Sequence, residues 1–377
     1  MRQRILTIIL VSITLSFIGC RKSSVDILYD KKYIKEIKAS REDIKFYMAR
    51  NFIPGATFAV AKDGKIIYSE GAGLASNDLN VSAKRDTKFR IGEISELFTS
   101  TIYQLMIEDG ILNPDSTVQH YLPDYPETGK NMTLKQLAYH TSGLRIERES
   151  EERAEMFHVT IEKGLNTFKN DPLESEPNLF QNPSMFNYNL LGAIMEKASG
   201  KHYNELLKEY ITDTLHLENT LIDNPFQTIK GRTNFHDLNM IAQVVNETTH
   251  DLRYKAPSRG ILSNAEDLAK FGNAIFFSDY LPEKVKERLF EPVFLLDSFP
   301  SPMANGWMLL VNRSGDKMYG RKGQVTGGGA VILVIPKEKL VITGAINLTA
   351  KLDEIPVFDI ASHFIAGNEE EQKKETP

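Results

Sequence analysis

Phe89-Arg-Ile-Gly-Glu-Ile-Ser-Glu-Leu-Phe-Thr-Ser-Thr101 opens a helix whose apolar residues Ile94, Leu97, Phe98, Ile102, Leu105 and Met106 recur at helical spacing. The run stops at Glu108-Asp109-Gly110, where acidic residues and a glycine break it. Glu93 and Glu96 stand three residues apart and so share a helix face. Two carboxylates on adjacent turns repel unless a cation lies between them or one takes up a proton. Ser95 is turned by about 200° from Glu93 and is expected to face the other way.

Outward from this helix the chain reads as β at both ends and helical in the middle. Asp63-Gly64 joins the β runs that follow Pro54-Gly55 and end at Gly71-Ala72-Gly73; Asp-Gly between apolar runs is a strong hairpin signal because both turn positions want positive φ. Tyr33 to Asn51 carries helical spacing. Thr133 to Leu144 predicts a helix end closed by Gly143, and Leu190 to Gly200 a helix with a glycine stop. Ser263-Asn-Ala-Glu266 has the form of a capping box. Four β-rich segments begin at Gly306, Met318, Ala330 and Leu340, and a last helix is expected at about 352 to 366. This order implies an α+β fold, with an antiparallel sheet assembled from both chain ends and helices packed on it.

The same segments resemble the serine β-lactamase-like family of class C β-lactamases, D-alanyl-D-alanine peptidases and related esterases. The resemblance runs from about residue 35 to 365 and rests on Pro54-Gly55, on Phe89 to Thr101, on His120-Tyr121-Leu122-Pro123, on His140-Thr141-Ser142-Gly143 and on Leu190-Leu191-Gly192. It implies a β-lactamase/transpeptidase-like domain at 34 to 366, with sheet from about 50 to 75 and 305 to 348 and a helical region at about 93 to 290.

The resemblance also assigns three catalytic elements, and each departs from the pattern. The family's Ser and Lys, three apart, fall on Glu93 and Glu96, and a carboxylate is neither that nucleophile nor a cationic partner for it. The family's Tyr-Ser-Asn falls on Pro183-Ser184-Met185, with Tyr188 matching a core aromatic; a shifted match would use Asn187-Tyr188-Asn189. Its third element, Lys-Thr-Gly or His-x-Gly, falls on Arg321-Lys322-Gly323, which keeps a positive charge. Family oxyanion donors are backbone amides, here those of Glu93 and Gln324, and such donors survive side-chain change. Glu93, Glu96, Arg321 and Gln324 are therefore the candidate ligand-binding residues. Arg321, with Lys322, is expected to pair with both carboxylates across the cleft in the fork geometry Arg favours, or else both Glu face solvent where the helix dipole favours acids.

Composition bounds the rest. Met1-Arg-Gln-Arg4, the apolar run Ile5 to Ile18 and Gly19-Cys20 read as a secretory signal (1 to 19) followed by a lipid-attachment cysteine, Cys20, and a tether to about residue 33. With Cys20 the only cysteine there is no internal disulfide. The net charge of −5 is mixed along the chain, with no basic stripe for nucleic acid, and the eight His show no paired ligand spacing for a metal; no cofactor is implied. Residues 145 to 177 are charge-rich and read as a solvated insertion, and 367 to 377 as a disordered tail. Arg232, His236, Tyr254 and Arg259 fall in regions that could rim the site but read as surface or helix-terminus residues.

The expectation is an exported, lipid-anchored envelope protein that has lost serine-acyl catalysis and binds a peptidoglycan fragment, a small molecule or an envelope protein. Three rival readings stand beside it. The first is an active hydrolase using Ser95, Ser184 or Ser142, and the second is acid/base catalysis by Glu93 and Glu96. For the second, residues three apart on one helix lie on one side of a substrate rather than flanking its bond. The third is a structural adaptor, which predicts an occluded cleft.

Overall fold

The structure is a computed structural model describing residues 26–152, 158–295, 300–312, 314–349 and 355–365. The signal segment, Cys20 and the tail lie outside the described residues. Strands β1 (Ile27–Tyr29), β2 (Gly55–Lys62), β3 (Lys65–Ser76) and β4 (Val81–Ser82) come from the N-terminal part of the chain. The middle contributes β5 (Phe89–Arg90), β6 (Leu221–Ile222), β7 (His236–Leu238), β8 (Val244–Asn246) and β9 (Ile261–Ser263) to two small sheets. The C-terminal part supplies β10 (Met303–Ala304), β11 (Trp307–Val311), β12 (Lys317–Val325), β13 (Gly328–Ile335) and β14 (Leu340–Ile346).

The large sheet is antiparallel in the order β1-β3-β2-β14-β13-β12-β11-β10, with β4 added to β3. The chain ends meet at β2 and β14, where Ile342 stands opposite Val60. Asp63 and Gly64 turn the first hairpin with φ of 51° and 78°, as the Asp-Gly pair predicts. One expectation changes at the edge. Ile27 to Tyr29 pair with Glu70 to Tyr68, so the sheet begins inside the stretch read as tether.

The central strands β2, β13 and β14 are buried along their whole length, both faces of the sheet being covered. Side chains alternate across it. Ala330, Ile332 and Val334 enter the core on one face, with α2 (Ser95–Glu108) and α4 (Ala265–Phe277). Val331, Leu333 and Ile335 enter the core on the other, under α1 (Ile34–Arg50) and the helix at 357–365. Ile37, Ile44 and Tyr47 form the buried stripe of α1, at helical spacing. Helix α2 is buried along almost its whole length, and Phe98 meets Phe271 of α4 with ring centroids 4.4 Å apart.

Two local expectations are corrected by competing partners. Asn264, not Ser263, caps α4 by accepting from the Asp267 amide at 2.8 Å. Ser263 belongs to β9, its hydroxyl 2.8 Å from that of Thr220, and Glu266 reaches Arg85 instead. The helix before the His-Thr-Ser-Gly segment ends at Ala138, and His140 turns the chain with φ 56°; Gly143, at φ 82°, closes the next turn. The region 145 to 177 is not simply solvated. Arg145 is buried, donating to Glu151 at 2.7 Å and Asp171 at 2.6 Å.

Among the described residues, no helix is long and apolar enough to cross a membrane.

Candidate active site

The turn that delivers Glu93 is held by two glycines. Gly92 to Ile94 form a 3₁₀ turn ahead of α2, and Gly92 takes φ 53°. A Cβ on Gly92 would lie 2.3 Å from the Gln324 nitrogen, and one on Gly323 would lie 2.0 Å from the Ile91 oxygen. Only backbone fits between this turn and β12. That contact sets the acidic residues against the strand carrying Arg321.

The two carboxylates then part. Glu93 is partly exposed and accepts from the Gln324 backbone N–H at 2.6 Å, while its other oxygen lies 2.8 Å from Arg259 Nη2. Arg259 also donates to Glu147 at 2.8 Å, and Glu147 accepts from Lys255 at 2.5 Å, both ends of that last pair being buried. The charges alternate in sign along this series, so each neighbour stabilises the next. Lys255 and Arg259 lie in one tight turn, where the Arg259 amide donates to the Lys255 carbonyl at 2.7 Å.

Glu96 lies beneath, 1% exposed. The Arg321 Nη2 donates to Glu96 Oε2, and His140 Nε2 is 3.4 Å from the same oxygen. Burial by itself would raise the Glu96 carboxyl, and it is the strongest single influence. Attraction to Arg321, then to His140 and Arg259, outweighs it and holds the carboxyl below its ordinary range. Asn187 orients the imidazole. Its Oδ1 accepts from the Ser142 hydroxyl, which leaves its Nδ2 to face His140 Nδ1 at 3.2 Å and the Ser184 carbonyl at 3.1 Å. That assignment makes Nδ1 the acceptor and leaves the Nε2 proton toward Glu96. Tyr188 stacks at a tilt on His140, centroids 5.1 Å apart, and its hydroxyl donates to the Ala138 carbonyl at 3.0 Å. Burial and then the Glu96 charge push its phenol well above the usual value.

The expected pairing is thus half right. Arg321 meets Glu96, but Glu93 turns to Arg259, and Lys322 is exposed on the strand beside them. Arg259, expected as a surface or helix-terminus residue, is part of the site, and the sequence does not single out His140, Glu147 or Lys255 as site residues. The only advance signal was the His-Thr-Ser-Gly segment for His140 and the charge run for Glu147.

Each candidate serine has a structural partner. Ser95 is buried and its Oγ accepts from the Ile261 amide at 3.3 Å, away from the cleft as its helix position requires. Ser142 is tied to Asn187. Ser184 caps α3 (Met185–Ser199) and donates to the Arg145 carbonyl at 2.5 Å. Pro183 is exposed just ahead of α3, and Met185 is buried in the core. Asn189 accepts from Ser258 at 2.7 Å, so the shifted Asn187-Tyr188-Asn189 match places three residues already bonded inside the fold. Arg232 joins Asp223, which also binds the buried Arg90 at 2.8 Å. His236 and Tyr254 are buried.

The beta-lactamase family model matches residues 41–357. The chain belongs to that family. Serine beta-lactamase-like protein LACTB, mitochondrial, of Homo sapiens is 29% identical over 315 residues, covering 65% of this chain and 57% of LACTB. Protein flp of Staphylococcus aureus (strain MW2) is 24% identical over 317 residues, covering 82% of this chain and 62% of flp. The chain therefore spans less than two thirds of either relative. Among solved structures, the octameric penicillin-binding protein homologue from Pyrococcus abyssi superposes with a TM-score of 0.74 at 21% identity, covering 88% of this chain and 76% of that one. A class C beta-lactamase gives 0.74 at 18% identity, covering 90% and 98%. These confirm the α+β, β-lactamase/transpeptidase-like fold expected from the sequence.

Proposed function

We propose that this member of the beta-lactamase family does not carry out serine acyl transfer and works by binding, as an exported protein held to the cell envelope through Cys20. Its ligand class is a peptidoglycan fragment, a small molecule or another envelope protein. One observation carries the reading: Glu93 stands where family resemblance puts the nucleophile, and its own carboxylate takes the Gln324 amide. A side chain without a nucleophilic hydroxyl sits on the donor an acyl intermediate would need. Removing residues that act as a unit leaves only the weaker effects of binding and oxyanion stabilisation.

Acid/base catalysis by the two Glu is disfavoured by the same contacts. Glu96 is buried and charge-paired, and both carboxylates lie on one side of the cleft. An adaptor role without a ligand has an observation in its favour, since Arg321 and His140 close the floor over a 1% exposed carboxylate.

The test is covalent labelling of the full chain with a fluorophosphonate and a fluorescent penicillin, adducts being located by mass spectrometry. A protein that melts cooperatively and takes up neither probe supports the proposal. A stoichiometric adduct on Ser95, Ser142 or Ser184 overturns it.

A further inference from the structure

We propose that one end of the large sheet is a membrane-apposed face, and that it seats the domain on a lipid bilayer. The inference deepens the anchored reading above and rests on it. Strand β1 runs antiparallel to β3, with Ile27 opposite Glu70 and Tyr29 opposite Tyr68. Asp26, the residue before Ile27, thereby lies toward the Gly71 to Ser76 end of β3. Asp26 is pinned there by Arg85, 3.1 Å away.

Exposed apolar residues gather at that same end. Phe52, 55% exposed at φ 56°, is two residues before Pro54, whose carbonyl accepts from Leu74 of β3. Leu79 (76%) lies in the turn from β3 into β4, and Val81 (47%) opens β4. The β7–β8 hairpin springs from the same place, because the His236 amide donates to Asn347 and Asn246 donates to Asp78. At the hairpin tip Met240 and Ile241 are 104% and 74% exposed. Large apolar side chains grouped on one end of a domain mark an interaction face.

The reach of the chain selects the occupant. Six residue steps separate Cys20 from Asp26, about 20 Å when extended. Five steps of β3, from Gly71 to Ser76, cover about 17 Å. An acyl group on Cys20 therefore enters a bilayer within reach of the apolar end. A lipid anchor alone leaves a domain free to tumble, whereas apolar residues at the interface add a second attachment and fix its orientation.

The test uses the full chain on vesicles of phosphatidylethanolamine and phosphatidylglycerol containing brominated acyl chains. Bimane is placed on M240C, on L79C and on K65C, the last beside the turn at the opposite end of the first hairpin. Acylation of Cys20 is read separately by mass spectrometry. Quenching severalfold stronger at 79 and 240 than at 65 is expected, and M240D/I241D is expected to cut the quenching at 79 severalfold without changing the melting temperature. Equal, weak quenching at all three positions in an acylated, vesicle-bound chain overturns the inference and leaves the anchor intact. An unmodified Cys20 removes the anchor, and quenching at 79 and 240 in that chain still upholds the apolar face while its absence ends both. Excimer formation between pyrene labels at position 240, without quenching by lipid, assigns the face to a second copy and also overturns it.

Discussion

Glu93 Oε2 lies 2.6 Å from the backbone nitrogen of Gln324, so the side chain at the first turn before α2 is bonded to the amide of the neighbouring strand. Glu96, one turn on, uses neither that amide nor Arg259 as a hydrogen-bond partner and pairs with Arg321 below. The two acidic residues therefore differ in depth, and their removal should differ in cost.

Glu93→Ala removes a partly exposed ion pair together with the hydrogen bond from the Gln324 amide and is expected to cost about 1–3 kcal/mol. Glu96→Ala leaves the Arg321 guanidinium buried without its carboxylate and is expected to cost about 3–5 kcal/mol. Urea unfolding of both variants checks the order. Equal costs would mean that Glu96 is not the buried member of the site.

Arg321→Met is expected to destabilise as strongly as Glu96→Ala, since it strands the carboxylate. Adding Glu96→Leu to Arg321→Met should recover part of the loss, with a coupling of about 1–3 kcal/mol in a double-mutant cycle. Additive losses would show that the two side chains do not interact.

Acid should release this pair. The Glu96 carboxyl is held below its ordinary range in the folded state, so the unfolded chain binds its proton first as pH falls. Its contribution to stability is full above about pH 4.3, the ordinary Glu value, and is lost as pH drops through the lower folded value. Glu247 behaves alike, its hydrogen bond from His250 keeping it at about 2. Unfolding free energy measured from pH 6 downward should fall less steeply in Glu96→Gln than in the natural chain. An unchanged slope would assign the acid sensitivity elsewhere.

Gly323→Ala drives a methyl group to 2.0 Å from the Ile91 oxygen and 2.6 Å from the Glu93 nitrogen. The expected cost is about 3 kcal/mol, at the upper end for overpacking. Gly315→Ala is the control, because that glycine has positive φ but open space around it and should lose only about 1 kcal/mol. Thermal melts of the pair separate close approach from backbone strain alone.

Much of the scaffold could be read before the structure because its signals are local. Asp63-Gly64 carries its turn in two residues, and the apolar spacing after Ile94 carries α2. The site was less legible because its partners are remote. Nothing near Glu93 in the sequence points to Arg259, and Arg321 meets one carboxylate but not both because β12 passes Glu96 while Gln324 supplies only a backbone donor to Glu93. The cap of α4 moved by one residue because Ser263 and Asn264 are both good cap formers and β9 claims the first. Glu147 and Arg145 read as surface charges in the sequence because composition does not reveal which members of a charged run turn inward.

The Glu96–Arg321 pair also bears on how such a chain could change over generations. Placing a lysine at position 96 while Arg321 remains would bury two cations together. Changing Arg321 first would leave Glu96 bare. Either order passes through an intermediate weakened by about 3–5 kcal/mol, a large part of the 5–15 kcal/mol that holds a typical domain folded. Single substitutions at either position cross that gap only at high cost, so the two residues are constrained to change together.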